Sequence, residues 1–314
     1  MTPEKTLNRL ESFSDMANIL CAGIAVLDEV FRVRAFPMPD TRVQASEFIT
    51  VGGGNAANAA VAIARLGGKA YFAAPLGVDA VGDRLIENLQ REGVECAGCV
   101  RVPGVRTPIS AIFVDGRGDR TIATYRDDRL NDVTAVDPEG LVTVADAVLA
   151  DNRFPEFVVP ICRAAMARRI PVVIDADKEA DDREPLFGAA THVIFSAACL
   201  RATARSDDLA AGLVHMSKLS DAFLAVTDGP HPVLWFDRDN ATIRETPVFA
   251  IKTVDTLGAG DVFHGAFALA LVEGRGIEDA LRFAAAAAGL KCARFGGSAV
   301  APQRVEVEAL LAQP

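Results

Sequence analysis

Val254–Leu271, VDTLGAGDVFHGAFALAL, is the stretch from which the rest of the chain can be read. A small-residue turn, Gly258-Ala259-Gly260, is followed by one carboxylate, Asp261, and then by an apolar run. Phe263, Phe267, Ala270 and Leu271 recur at helical spacing, so a buried helix is predicted from Gly260 onward. The turn then lies at a helix N-terminus, where backbone N–H groups lack intrahelical partners and the helix dipole adds positive charge. Glycine has no Cβ to hold an anion away from the backbone. The pattern describes an anion cradle with an acid at its mouth. Such an acid would repel phosphate, so it is out of place there unless its task is to take a proton from a hydroxyl that attacks the phosphate. The plainer reading of Asp261 is an N-terminal helix cap.

The 314-residue length exceeds the size at which one core usually stops growing, so one large domain with an appendage, or two domains, is expected. Half the residues are hydrophobic and 24% are charged, an ordinary globular balance. A net charge of −10 argues against nucleic acid or an anionic membrane as partner. Met1–Asn18 has neither the basic nor the apolar segment of a signal peptide, and no run of 18 apolar residues marks a membrane span. Cys21, Cys96, Cys99, Cys162, Cys199 and Cys292 lie in apolar contexts and read as reduced thiols of a cytoplasmic protein. Cys96 and Cys99 form a CxxC with no second pair nearby, which favours packing over zinc or redox work.

Outward from the opening stretch, the chain alternates apolar runs with helical patterns. Ile19–Leu27 is predicted as a buried strand that delivers Asp28 at its carboxyl end, where open α/β sheets bind ligands. Phe31–Phe36 and Arg42–Ile49 read as shorter strands around the break Pro37-Met38-Pro39-Asp40. Cys96–Val102, Ser110–Asp115 and Arg120–Tyr125 alternate like sheet, with Gly116-Arg117-Gly118-Asp119 as a hairpin turn. Together these segments are expected to form a small separate sheet. Val51-Gly52-Gly53-Gly54-Asn55 opens a helix built of alanine that ends near Gly67-Gly68, with Asn55 and Asn58 in its first turn. That loop lets a polyol approach the backbone and meet two amides. It does not follow the dinucleotide pattern GxGxxG. From Asp137 onward strands alternate with helices, which implies βαβ units and a mostly parallel sheet. Asp28, Asp151-Asn152-Arg153, Asp175-Ala176-Asp177-Lys178 and Thr227-Asp228-Gly229 all stand at strand ends. Arg153 is a candidate for an anionic or hydroxyl-rich substrate, with Arg42 and Lys178 weaker candidates. His264, one turn into the helix, reads as packing or capping.

DTLGAGD followed by an apolar helix is a long, tight pattern that resembles the second signature of the ribokinase (PfkB) family of carbohydrate kinases. Gly53-Gly54 with Asn58 is similar to the family's sugar-binding loop, and Thr227-Asp228-Gly229 matches its T-x-G turn beside the nucleotide phosphates. The resemblance runs from about Ile19 to Pro302. It implies a doubly wound, mostly parallel α/β sheet (ribokinase-like) with a small β-sheet lid. On that reading residues 1–18 are an N-terminal extension, 19–314 are the kinase domain, and lid strands are inserted at about 29–50 and 100–127.

The activity implied is ATP-dependent phosphorylation of a primary hydroxyl of a sugar, with Mg²⁺. Asp261 would be the general base, with Gly258, Ala259 and Gly260 forming the anion hole. Asp28, Gly53, Gly54, Asn55, Asn58 and Arg153 would hold the sugar, and Thr227, Gly229 and Ser196 the nucleotide. Asp255 resembles the acid beside the family's monovalent-cation site, so K⁺ activation is expected. Where many members carry N-x-x-E, this chain has Ser196 and Cys199, which leaves open how Mg²⁺ is organised. Val254–Asp261, Ala280-Leu281-Arg282-Phe283 and Lys291-Cys292 look like the ketohexokinase and sulfofructose kinase branches and tilt the substrate towards a ketose. The exposed face of the lid often pairs with a second subunit in this family, so a homodimer is expected. A nucleoside kinase, or a non-catalytic sugar- or nucleotide-binding regulator, remains as an alternative. Only 6% of residues are aromatic, which counts against a base-stacking pocket.

Overall fold

A computed structural model describes residues 16–117 and 119–313. Most of the expected N-terminal extension and Gly118 of the hairpin turn lie outside the described residues. In chain order the strands are β1 (Asn18–Ala22), β2 (Val26–Arg32), β3 (Glu47–Gly53), β4 (Lys69–Ala73), β5 (Pro75–Gly77), β6 (Val100–Val102) and β7 (Ile109–Val114). They continue with β8 (Arg120–Tyr125), β9 (Ala147–Asp151), β10 (Val172–Ala176), β11 (His192–Ser196), β12 (Phe223–Thr227), β13 (Val233–Asp237) and β14 (Thr242–Thr246). The α-helices are α1 (Asn55–Arg65), α2 (Ala80–Arg91), α3 (Pro138–Leu141), α4 (Pro155–Ala167), α5 (Ala197–Ala204), α6 (Leu209–Met216), α7 (Ala259–Val272), α8 (Ile277–Cys292) and α9 (Arg304–Leu311).

Eight strands form one sheet in the order β14-β13-β12-β11-β10-β9-β1-β4. It is parallel from β4 to β12 and antiparallel only at the β12-β13-β14 edge. Helices cover both faces, so its inner strands are apolar on both sides. Alternate residues separate cleanly. Ile19, Cys21, Leu149 and Val173 pack with α1, α7 and α8, through Ala56, Val262, Phe267 and Leu281. Leu20, Ala22, Val148 and Ile174 pack with α4, α5 and α6, through Phe157, Leu200 and Leu213. Residues Val262 to Ala270 of α7 are all buried, because this helix lies between the sheet, α1 and α8. The parallel strands bring Ala22, Asp151, Ala176, Ser196 and Thr227 to one carboxyl edge.

The small sheet has four strands in the order β3-β2-β7-β8. Four expectations are corrected here. Ile19–Leu27 is not one strand: Gly23-Ile24-Ala25 breaks it, and Asp28 sits inside β2 of the small sheet, not at the carboxyl end of β1. Gly23 adopts φ 152, and a Cβ there would lie 2.1 Å from the Asp151 carboxylate, so the break needs glycine. The strand expected at Arg42–Ile49 begins only at Glu47 and runs to Gly53, which places the glycine loop directly after it. Cys96–Val102 does not join this sheet; only Val100–Val102 is extended, and it pairs with β5. Asn18 opens β1, so the extension is shorter than residues 1–18.

Candidate active site

Helices α1 and α7 are rich in alanine and glycine, and this lets them approach closely. A Cβ at Gly265 would fall 2.7 Å from the Ala59 carbonyl oxygen. The close crossing carries Asn58 Nδ2 to 2.6 Å from Asp261 Oδ2. Gly258, in the left-handed region at φ 78, is the N-cap residue of α7, and no side chain caps the helix. Asp261 is therefore not a cap. The Ala259 N–H donates to the Thr256 carbonyl at 3.2 Å, which removes it from the expected anion hole. The N–H groups of Gly258 and Gly260 have no protein acceptor among the described residues. Those two donors sit at the positive end of the α7 dipole.

Burial pushes Asp261 up to about 7; the neighbouring Asp175 adds to the shift, and the Asn58 amide opposes it. Asp175 is buried, accepts from Asn55 Nδ2 at 3.0 Å, and lies 3.5 Å from His264 Nε2. Its own pKa is also raised, chiefly by burial. His264 ties α7 to the sheet: Nδ1 lies 2.7 Å from the Gly260 carbonyl and Nε2 3.2 Å from the Ile194 carbonyl. Asp151 is a positioning acid. It accepts from the N–H of Ile24 at 2.7 Å, Ala56 at 3.2 Å and Arg153 at 3.0 Å, which joins the start of the small sheet, α1 and its own turn. Burial raises its pKa to about 6.

A cavity of about 600 Å³ lies between the small sheet and this edge, a size that suits a small ligand. Asp28, Gly54, Asn55, Asn58, Arg153, Gly258 and Asp261 all line it. Asp28 points inward beside Ser110, its register neighbour on β7, and burial raises its pKa to about 6 despite the Ser110 hydrogen bond. Gly53 is not part of the lining. A Cβ there would fall 1.9 Å from Asp28 Oδ2, so this glycine makes room for the acid. Arg153 Nη2 is held by Asp177 Oδ2 at 2.6 Å. Lys178 lines the cavity, whereas Arg42 is exposed in the loop between β2 and β3 and does not. Arg120, Arg126 and Asp128 line it as well. Sequence reasoning missed these three: alternation along β8, which carries Arg120, shows two faces without saying which one is inward, and Arg126 and Asp128 lie beyond that strand.

Ser196 and Thr227 lie outside that cavity, as register partners at the ends of β11 and β12. Gly229 follows at φ 57. Ser196 Oγ accepts from the Cys199 N–H at 3.2 Å and caps α5, and Cys199 Sγ donates to the Lys178 carbonyl at 3.2 Å. Among the described residues no three His, Cys, Asp or Glu side chains converge as a metal site.

The surroundings of Asp255 do not fit an added monovalent cation. Lys291 Nζ lies 2.9 Å from its carbonyl oxygen and 3.0 Å from Oδ2, and Lys291 is 0% exposed. The signal for this pair was a lone lysine in the apolar helix IEDALRFAAAAAGLKC, since lysine is almost never buried unless paired.

The pfkB family carbohydrate kinase profile matches residues 16–304. Ribokinase from Bacillus subtilis is 31% identical over 94% of this chain and 100% of its own length. Mouse ketohexokinase is 27% identical over 88% of this chain and 97% of its own. The crystal structure of a candidate ribokinase from Agrobacterium tumefaciens superposes with a TM-score of 0.90 at 35% identity, over 95% of this chain and 98% of that one. The chain belongs to the PfkB family of carbohydrate kinases, on a ribokinase-like fold. It is an ATP-dependent phosphotransferase with an alcohol group as acceptor.

Proposed function

We propose that this enzyme phosphorylates a primary hydroxyl of a free monosaccharide, a ketose or close relative, with Asp261 as general base. The observation that carries this is the Asn58–Asp261 contact at 2.6 Å, in the lining of a polar cavity and beside two backbone donors that have no acceptor among the described residues. The sugar lies over Gly54, Asn55 and Asn58, with Asp28 and Arg153 on its hydroxyls. Asp261 takes the proton as the sugar oxygen forms its bond to the γ-phosphorus. The bridging P–O bond breaks, and ADP leaves with that electron pair. Gly258 and Gly260 N–H groups meet the charge that spreads over the phosphoryl oxygens. Mg·ATP enters as substrate along the Ser196, Thr227 and Gly229 edge, and its magnesium neutralises phosphate charge. The small sheet acts as a lid that keeps water from competing as acceptor.

The outer face of the lid supports a homodimer. Phe31 packs between Phe48 and Phe113 there, with ring centroids 4.9 and 5.6 Å apart, and Ile109 and Tyr125 on the same face are exposed. The test is ADP release with Mg·ATP across ribose, fructose, tagatose, sulfofructose and adenosine, with the product identified by mass spectrometry. One sugar that raises turnover far above the sugar-free rate is expected; strong turnover on adenosine alone would replace this reading with a nucleoside kinase.

A further inference from the structure

The Asp255–Lys291 pair belongs neither to the sugar cavity nor to the proton transfer. It nevertheless lies directly behind the anion turn. Asp255 Oδ1 accepts from the Leu257 N–H at 2.8 Å, and Leu257 precedes Gly258, the first residue of the turn. Asp255 Oδ2 accepts from the N–H groups of Gly296 at 3.2 Å and Gly297 at 3.4 Å. The N–H groups of Val254 and Asp255 both reach the Cys292 carbonyl, at 2.8 and 3.1 Å. One carboxylate thus fixes two loops, and one ammonium neutralises it.

A carbonyl oxygen and a carboxylate oxygen of the same residue converge on the Lys291 nitrogen. Such oxygens are the donors a hard cation takes. Here the cation is covalently part of the chain, delivered by the last turn of α8. Lys291 is 0% exposed and Asp255 is 5% exposed, so neither charge has water to fall back on. Removing one partner of such a pair leaves the other buried and uncompensated.

We propose that the Lys291 ammonium is the built-in cation of this enzyme, holding the Asp255 loop and hence the Gly258–Gly260 turn in place of an exchangeable monovalent ion. Phosphoryl transfer therefore needs no added potassium. Lys291 is a positioning residue: it acts on the turn through Asp255 and touches neither sugar nor phosphate. The inference rests on the reading of that turn as the phosphoryl site.

The experiment compares potassium chloride with tetramethylammonium chloride at equal ionic strength, in the wild type and in Lys291→Ala. Wild-type turnover and melting temperature are expected to be the same in both salts. Lys291→Ala is expected to lose about 10²-fold in kcat in tetramethylammonium, the scale of a small misplacement of catalytic groups. Potassium or propylammonium should restore part of the loss. The same ions should raise the variant's melting temperature, because a ligand that binds only the folded state stabilises it. Wild-type turnover or melting temperature that rises several-fold or by several degrees with potassium would overturn the proposal. So would a Lys291→Ala enzyme that is fully active in tetramethylammonium, or one that no cation restores. If Lys291→Ala does not fold, the wild-type comparison decides by itself. The melting readout needs no substrate, so it stands even if no sugar turns over, and failure of the kinase reading is seen separately.

Discussion

In the large sheet, neighbouring residues of the inner strands fall into two apolar layers, as Cys21 and Leu20 do on β1. In the small sheet the same alternation divides an inward face, where polar and apolar side chains mix, from an outward one. Asp28, Ser110, Thr124 and Arg120 look into the cavity, while Phe48, Ile109 and Tyr125 look outward and are exposed. Helices seal the large sheet on both faces. Among the described residues the buried core of the small sheet is Val30, Ile112 and Val114, which leans on Leu257 and Phe295 of the main body. The difference separates two tasks. On the function proposed above, the sealed sheet and its helices hold the reacting groups still, and the half-covered sheet presents side chains that choose what reacts.

Substitutions on the two sides should therefore fail differently. The largest effect belongs to the sealed side. Asp261→Asn should lower kcat by about 10²–10⁴-fold, the usual weight of a general base, with an unchanged melting curve. In the wild type, kcat/KM should rise with pH through an apparent pKa of about 7, because the raised pKa keeps the base protonated below that pH. The limb belongs to the interacting Asp261 and Asp175 carboxyls, so Asp175→Asn should move it to lower pH. A pH profile left in place would remove Asp175 from the account.

On the lid side, Asp28→Asn should act mainly on KM, lowering kcat/KM by about 10–100-fold, the range of one or two lost substrate contacts. A kcat loss as large as that of Asp261→Asn would erase the division of tasks. Gly265→Ala tests the rigidity of the sealed side. Its Cβ would press on the Ala59 backbone, and the protein should lose about 1–3 kcal/mol by thermal unfolding, with activity falling as Asn58 and Asp261 separate. The smallest effect is expected outside the lid. Phe48→Ser should change the stability of a monomer by about 0.5 kcal/mol or less. Should the enzyme pair through this face, sedimentation would show the dimer dissociating instead.

Much of this was legible in the chain. The glycine turn, Asp261, the helix behind it and the second glycine loop are local patterns, because helix termini and left-handed residues depend on a few neighbours in sequence. Strands alternating with helices announced a mostly parallel sheet. Other features were not local. An unbroken apolar run hid the break at Gly23, because the need for glycine there comes from Asp151, 128 residues away. Gly53 looked like a sugar contact, and it is a space for the Asp28 carboxylate. The sequence by itself determined the family, the glycine turn and the acid that stands beside it. Tertiary structure alone decided which N–H groups remain free, which face of the lid turns inward, and which charge Lys291 meets. Those outcomes depend on distances between segments far apart in the chain, and no pattern of spacing within one segment encodes them.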